Sequence, residues 1–527
     1  MGTSEIARQA LGCMTLEQKV GQVFMLGFEG TTLTAPNRDL IQGLHLGGVT
    51  LFGRNIESGL QLSRLTLDLQ SVADPVPLYI SIDQEGGLVV RVTTGSTIFP
   101  GNMAIGATGD LNLARLVAQA AASELRGMGV NMDLAPVVDV STNPLNPVIG
   151  VRSFGSNAAL VSDFGAQTIQ ALQSGGVSAV AKHFPGHGDT HLDSHRDVPV
   201  LLHSLERLRS IELVPFQAAI QADVDGIMTA HLYLPALEAR RGLPATLSKA
   251  ILSGLLRDEL GYRGLILTDA LDMQAIKMDR SPAEAAVLAF EAGADLLLIA
   301  GIDADDRRRA SGGPSMLLEA VTSGRIAAER LDASVLRILE AKARRGILAE
   351  SSRMQRPTHS DTATLNSPRH RALSMQVARK GVTLQRDTGG LLPLDRSHRL
   401  LVVVPDAPSR SQVQDDELAS SLLEAVCQFA PAATGATPDS AVSASTGAEV
   451  IILGTYDLVR DADQQALASS LAATGKPIVG ISLRGPSDAA AAPGIGTWLA
   501  VYGDRPVHLR AAAEALFGQL TPTGRAP

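Results

Sequence analysis

For its first 350 residues the chain alternates short, unbroken apolar runs with longer stretches whose apolar residues recur at helical spacing. "VGQVFMLGF", "GGVTLF", "PLYISID", "NMDLAPVVDV", "GVSAVAKHF", "DGIMTAH", "GLILTDA" and "ADLLLIA" read as eight strands. Their apolar residues are continuous rather than alternating, as in strands buried on both faces of a parallel sheet. Between them lie amphipathic helical patterns such as "LNLARLVAQAAASELRGMG" and "LSKAILSGLLRDELGY", the latter with Ser248 as N-cap. Eight strands, each followed by a helix or long loop, predict a (β/α)8 TIM barrel. An open doubly wound sheet is the competing arrangement. The helix "IAAERLDASVLRILEAKARRG" is expected to close the barrel.

The pattern then breaks. "LAESSRMQRPTHSDTATLNSPRH" is polar, carries Pro357 and Pro368, and reads as a linker. Beyond it, "RLLVVVPD", "EVIILGTYD", "PIVGISL" and "TWLAVYG" alternate with helices such as "DDELASSLLEAVCQF". These predict a smaller parallel sheet with helices on both faces, an α/β domain of αβα sandwich type. The expected division is 1–350 for the barrel, 351–370 for the linker and 371–527 for the second domain. No G-x-G-x-x-G or Walker loop occurs in that domain, so nothing there points to a nucleotide.

Polar residues fall at a particular place in this pattern. Asp83, Asp139, Lys182, His183, His231 and Asp269 each stand at the C-terminal end of a predicted strand. In a barrel that end is where the loops converge and active sites form.

Composition narrows the field without deciding it. A length of 527 residues, 45% hydrophobic and 19% charged, suits two or three soluble domains. Aromatics at 3% argue against an extended stacking platform for polysaccharide or single-stranded nucleic acid. The formal charge of −9 gives no reason to expect binding to DNA, RNA or an anionic membrane. Two distant cysteines cannot build a Cys-rich zinc site. No apolar run is long enough to span a bilayer, and the N-terminus lacks the apolar core of a signal peptide. A cytoplasmic protein is expected; a secreted one with its leader removed would read identically.

One segment concentrates the candidate chemistry. "AKHFPGHGDTHLDSHRDVPV" holds four of the eleven histidines, His183, His187, His191 and His195. Their four-residue rhythm would make a metal-binding face on a helix. Pro185, Gly186 and Gly188 interrupt any such helix, so no metal is expected. A mobile polar loop without chemistry is the bland reading. Against it, Asp193 stands two residues before His195, where it can bond one imidazole nitrogen and fix its tautomer. A histidine so held suits proton transfer in both directions near neutral pH. Gly186 and Gly188 would then let the loop move.

Asp269, in "LTDALDM", can be a nucleophile, base, ligand or helix cap, and Asp272 competes with it. In "SIDQEGGLVVRV", Asp83 and Arg91 flank a Gly86-Gly87 turn and are placed to grip hydroxyls by charge-assisted hydrogen bonds. Arg152, in "VIGVRSF", offers a second guanidinium. Either arginine could instead make a structural ion pair.

Together these segments resemble glycoside hydrolase family 3 and, within it, the β-N-acetylhexosaminidase branch. "KHFPGHGDTHLDSH" matches that branch's hallmark nearly residue for residue; "IDQEGG", "RSFG" and "LTDALDM" follow the expected order, and "MTAHLYLPALE" lies where the branch has a similar segment. The resemblance is strong over 15–345 and looser over the second, sandwich domain. It implies Asp269 as nucleophile, and His195 paired with Asp193 as acid/base. It also implies Asp83, Arg91, Arg152, Lys182 and His183 as the residues holding a terminal sugar.

The implied activity is exo-hydrolysis of terminal N-acetylglucosamine (GlcNAc) from chitin-type or peptidoglycan-derived oligosaccharides, with retention, through a glycosyl-enzyme and without cofactor. A histidine acid/base departs from the template of two carboxylates. It also leaves phosphorolysis open, since it would not repel an incoming phosphate as a carboxylate would. A β-glucosidase or β-xylosidase is a further possibility within the same family. A sugar-binding protein without catalysis is the reading most remote from these motifs. His187 and His191 are expected in loop hydrogen bonds or solvent. The chain ends at "LTPTGRAP", about where relatives run on into a further strand, so a minimal or truncated second domain is expected. Oligomeric state is not legible.

Overall fold

All eight apolar runs contain a strand: β1 (Phe24–Gly27), β2 (Gly48–Leu51), β3 (Tyr79–Ile82), β4 (Met132–Asp133), β5 (Ser178–Phe184), β6 (Gly226–Thr229), β7 (Leu265–Leu267) and β8 (Leu297–Ile299). Every residue of these strands is buried. They pair in parallel in the order β8-β1-β2-β3-β4-β5-β6-β7. A parallel bridge from Leu267 to Leu296 joins β7 to β8 and completes the barrel. The computed structural model describes residues 2–192, 198–277, 280–301, 312–348, 363–406 and 421–527.

The long helix expected to close the barrel spans Ala328–Arg344 and ties the N-terminal ends of the strands. Asp225, directly before β6, accepts from Arg345 Nε at 2.5 Å. Asp295, two residues before β8, accepts from Ser334 Oγ at 2.6 Å and Arg337 at 3.0 Å, and also pairs with Arg257. Both carboxylates are fully buried, so these pairs fix helix against barrel.

Lys342, on the same helix, enters the barrel floor. Its Nζ donates to Pro77 O at 2.8 Å, Gly47 O at 2.9 Å and Gln22 Oε1 at 3.2 Å. These acceptors are neutral, and burial lowers the ammonium's pKa to about 7. A depressed lysine pKa means that the unfolded chain binds more protons than the folded one between that value and the unfolded value. The wild type should therefore gain stability relative to Lys342→Met as pH rises from 7 to about 10. Melting temperatures of the two proteins across that range check the sign.

The second sheet comprises β9 (Thr383–Asp387), β10 (Leu400–Val403), β11 (Thr434–Ala436), β12 (Val450–Thr455), β13 (Ile478–Ser482) and β14 (Thr497–Ala500), ordered β9-β14-β13-β12-β10-β11. All its pairs are parallel except β9 with β14. Side chains alternate between two buried cores: Leu400, Val402, Val450 and Ile452 enter one, and Leu401, Val403, Ile451 and Leu453 the other. Two apolar faces require helices on both sides, which makes the αβα sandwich. β10, β12, β13 and β14 lie where the apolar runs predict. The edge strands β9 and β11 were not expected, because their residues are mostly exposed or half-buried and form no apolar run.

Of the expected linker, residues 351–362 lie outside the described residues. A helix over Pro368–Gly381, capped by Ser367, runs across its expected end. It lies against the barrel, with His370 Nδ1 2.7 Å from Glu124 and Lys380 Nζ 2.6 Å from Asp110. Near the barrel mouth, Arg505 Nε donates to Gly87 O at 3.1 Å.

Candidate active site

At the C-terminal end of the barrel, three consecutive strands deliver charge to one point. After β3 the chain makes a short hairpin, Gln84–Gly86 with Val89–Val90. Its turn passes through Gly86 and Gly87 at positive φ. A Cβ on Gly87 would sit 2.7 Å from Gly101 Cα, so a side chain is sterically excluded there. The hairpin brings Asp83, Glu85 and Arg91 to the end of β5, where Lys182 projects.

Lys182 Nζ bonds Asp83 Oδ1 at 2.6 Å and Glu85 Oε1 at 2.7 Å. Arg152 grips Glu85 with two parallel bonds, Nε to Oε2 at 2.9 Å and Nη2 to Oε1 at 2.8 Å, and gives Nη1 to Val148 O. Arg91 Nη2 reaches Asp83 Oδ2 at 3.4 Å. Burial alone would raise both carboxyl pKa values, yet the facing cations outweigh it. Lys182 and Arg91 hold Asp83 below the usual range, and Arg152 and Lys182 hold Glu85 well below it. In turn Asp83 and Glu85 overcome burial of Lys182 and raise its pKa. The cluster is ionised throughout at neutral pH.

Beneath it, Asp133 accepts from Gln84 N at 3.0 Å, and burial pushes its carboxyl up to about 7. Gln84 Oε1 accepts from the backbone N–H of Arg91 and Val92. Gln84 thus stitches the hairpin that presents Asp83 and Glu85.

His183 follows Lys182 and takes another partner. Its Nδ1 lies 2.7 Å from Asp139 Oδ2, which also accepts its backbone N–H. A carboxylate acceptor requires the hydrogen on Nδ1, leaving Nε2 as the free ring position. Asp139, fully buried, also accepts from His187 N at 2.7 Å. Burial would raise its pKa, but His183 and His187 lower it.

His187 is buried with Nδ1 2.8 Å from Thr190 Oγ1, while exposed His191 lies 3.1 Å from Asn143 Nδ2. Both are loop hydrogen bonders, as expected. Gly188 serves close approach rather than swing: a Cβ there would meet Val140 O at 1.8 Å. Asp193 and His195 lie outside the described residues.

Across the mouth, the end of β7 separates its two aspartates. Asp272 is buried and accepts from Ala300 N at 2.9 Å, tying this loop to the end of β8. Asp269 is half-buried, and its Oδ1 accepts from Ala270 N at 2.7 Å. His231 supports the same loop from β6, with Nε2 2.9 Å from Ala270 O and Nδ1 2.8 Å from Thr246 Oγ1. A fixed, partly accessible carboxylate thus stands at the same barrel end as the ionised cluster.

Of the residues the sequence singles out, Asp83, Arg91, Arg152 and Lys182 join one charged cluster, while His183, next in the chain to Lys182, pairs with Asp139 instead. Arg152 joins the cluster through Glu85, which the sequence pattern did not single out. Its signal was present: Glu85 stands two residues from Asp83, and that spacing puts both side chains on one face of an extended segment. Asp139 stands at a predicted strand end, and its role becomes visible only once His183 and the His187 backbone are placed around it.

Residues 15–341 match the Glycosyl hydrolase family 3 N terminal domain. The chain belongs to glycosyl hydrolase family 3. It is 37% identical over 441 residues to beta-hexosaminidase A of Pseudoalteromonas piscicida, covering 77% of this chain and 73% of that one. It is 31% identical to a beta-N-acetylglucosaminidase/beta-glucosidase of Cellulomonas fimi, over 99% of this chain and 94% of that one. A solved structure of a family 3 beta-N-acetylglucosaminidase from Paenibacillus sp. str. FPU-7 superposes with a TM-score of 0.91 at 40% identity, covering 98% of this chain and 99% of the other. The protein is a family 3 glycoside hydrolase, and carbohydrate is its substrate. Among the described residues no helix is long and apolar enough to cross a membrane.

Proposed function

We propose that this glycoside hydrolase is a retaining exo-β-N-acetylglucosaminidase, acting on terminal GlcNAc in chitin-type or peptidoglycan-derived oligosaccharides. In the first step an Asp269 carboxylate oxygen bonds the anomeric carbon as the glycosidic bond breaks. His195, oriented by Asp193, gives its proton to the departing oxygen. In the second step the neutral imidazole takes a proton from water, whose oxygen displaces Asp269 and releases the sugar. Asp83, Lys182, Arg91 and His183 Nε2 hold the sugar hydroxyls, and Arg152 holds Glu85 against Lys182. No cofactor enters either step.

The observation that carries this reading is the division of labour at the barrel mouth. The clamp carboxylates each face a cation, which suits holding hydroxyls. Asp269, half-buried, is carried at the end of a different strand, β7, on a loop that His231 and Asp272 hold in place. The similarity to proteins named beta-hexosaminidase and beta-N-acetylglucosaminidase supports the choice of sugar.

His195→Ala tests the acid role. Its kcat/KM on chitobiose should fall by roughly 10²-fold or more, whereas a dinitrophenyl N-acetyl-β-glucosaminide, whose leaving group needs little protonation, should lose far less. Equal losses on both substrates would count against the assignment. Release of GlcNAc-1-phosphate in phosphate buffer would instead mark a phosphorylase. The dual name of the Cellulomonas fimi relative favours β-glucosidase as a second reading. Aryl glycosides with and without the 2-acetamido group decide between them.

A further inference from the structure

The acid/base assigned above sits in a segment that leaves the barrel after β5 and returns before the helical turn at Leu205. Its outgoing arm hangs on the β4 side of the mouth. There His187 N donates to Asp139 at 2.7 Å, and Asn146 Nδ2 donates to His187 O at 2.8 Å. Its returning arm hangs on the chain after β6, through Leu201 N to Tyr233 O and Tyr233 N to Pro199 O, both 3.0 Å. The arms meet through side chains: His203 Nε2 lies 2.7 Å from Asp189 Oδ2. A carboxylate acceptor puts the hydrogen on Nε2.

Arg207 stands behind this contact, 3.7 Å from Asp189 Oδ2 and 3.1 Å from Glu212 Oε1. Buried Glu212 also lies 3.9 Å from His203 Nε2. The outgoing arm is flush against this support, since a Cβ on Gly186 would come within 2.8 Å of Glu212 Cβ.

We infer that Asp189 and His203 are positioning residues for catalysis: their hydrogen bond joins the two ends of the segment bearing the acid/base and sets where His195 meets the leaving oxygen. This rests on the reading of His195 as the acid. Two features separate the role from simple stabilisation. The side chains are 21% and 23% exposed, and ion pairs that accessible contribute little to stability. Proton transfer, by contrast, depends steeply on placement, and a misplacement of about 1 Å can cost on the order of 10²-fold.

The test compares Asp189→Ala, His203→Ala, the double variant and His203→Gln, each on chitobiose and on the dinitrophenyl glycoside, with His195→Ala alongside. Each alanine variant should lose about tenfold or more in kcat/KM on chitobiose and stay within about threefold of wild type on the dinitrophenyl substrate. The double variant should be no worse than either single one, since both remove the same bond. His203→Gln keeps an N–H donor and should recover most of the activity. Melting temperatures should barely move. Equal losses on both substrates, or no loss on either, beside a leaving-group-dependent His195→Ala, overturn the positioning role alone. A His195→Ala loss independent of leaving group overturns the acid assignment, and the positioning role with it.

Discussion

Asp269→Asn is expected to lower kcat/KM on any N-acetyl-β-glucosaminide by about 10⁴-fold or more, the scale seen when a covalent nucleophile is removed. The substitution keeps the shape, and the amide oxygen can still accept from Ala270 N, the bond that Asp269 Oδ1 makes at 2.7 Å. The loop should hold, because His231 and Asp272 fix its backbone independently of the Asp269 charge. The loss should therefore appear in kcat with an unchanged melting temperature. Asp269→Ala adds a stereochemical check. Azide can enter the vacated face and should give the α-glycosyl azide. Activity near wild type in Asp269→Asn, or a β-azide from Asp269→Ala, would contradict the assignment.

The second large effect concerns Glu85. Glu85→Ala removes the partner of two buried cations, Arg152 and Lys182, whose side chains are 5% and 2% exposed. Breaking one side of a buried ion pair costs on the order of 3–5 kcal/mol, because the remaining charge has neither water nor counter-ion. Arg152 would lose both bonds to Glu85, and Lys182 would keep only Asp83. Stability and sugar binding should fall together: a melting temperature lower by several degrees and a kcat/KM reduced by about 10²-fold. Glu85→Gln retains an acceptor and should fall between. A melting temperature and kcat/KM near wild type for Glu85→Ala would mean that the cluster is not the charge-balanced unit its distances describe.

The barrel was legible because its strands are buried on both faces, so each announces itself as an apolar run. β4 shows the limit of that signal. "NMDLAPVVDV" reads as a ten-residue strand, yet only Met132–Asp133 pair as one, with a bridge from Val137 to Lys182 beyond them. Pro136 lacks the N–H that a ladder needs.

The site was legible where chemistry is local. Lys182-His183 at a strand end and the Asp83 to Arg91 hairpin need only a short stretch of chain. It was illegible where partners are remote. Spacing alone leaves Asp269 and Asp272 as rivals, because the backbone N–H of Ala300 that donates to the Asp272 carboxylate stands just past β8, 28 residues further along the chain. Glu85 depends on Arg152, 67 residues away, and the loop bond of Asp189 depends on His203.

Retention through a covalent glycosyl-enzyme stands or falls on Asp269, and mass spectrometry of trapped enzyme can observe that bond. A GlcNAc fluoride carrying a second fluorine at C5 keeps the acetamido group while slowing release of the glycosyl-enzyme. Digestion after reaction should place the added sugar on the peptide containing Asp269. An adduct on another residue would contradict the assignment of Asp269, and turnover of the fluoride with no adduct at any time would contradict the covalent mechanism.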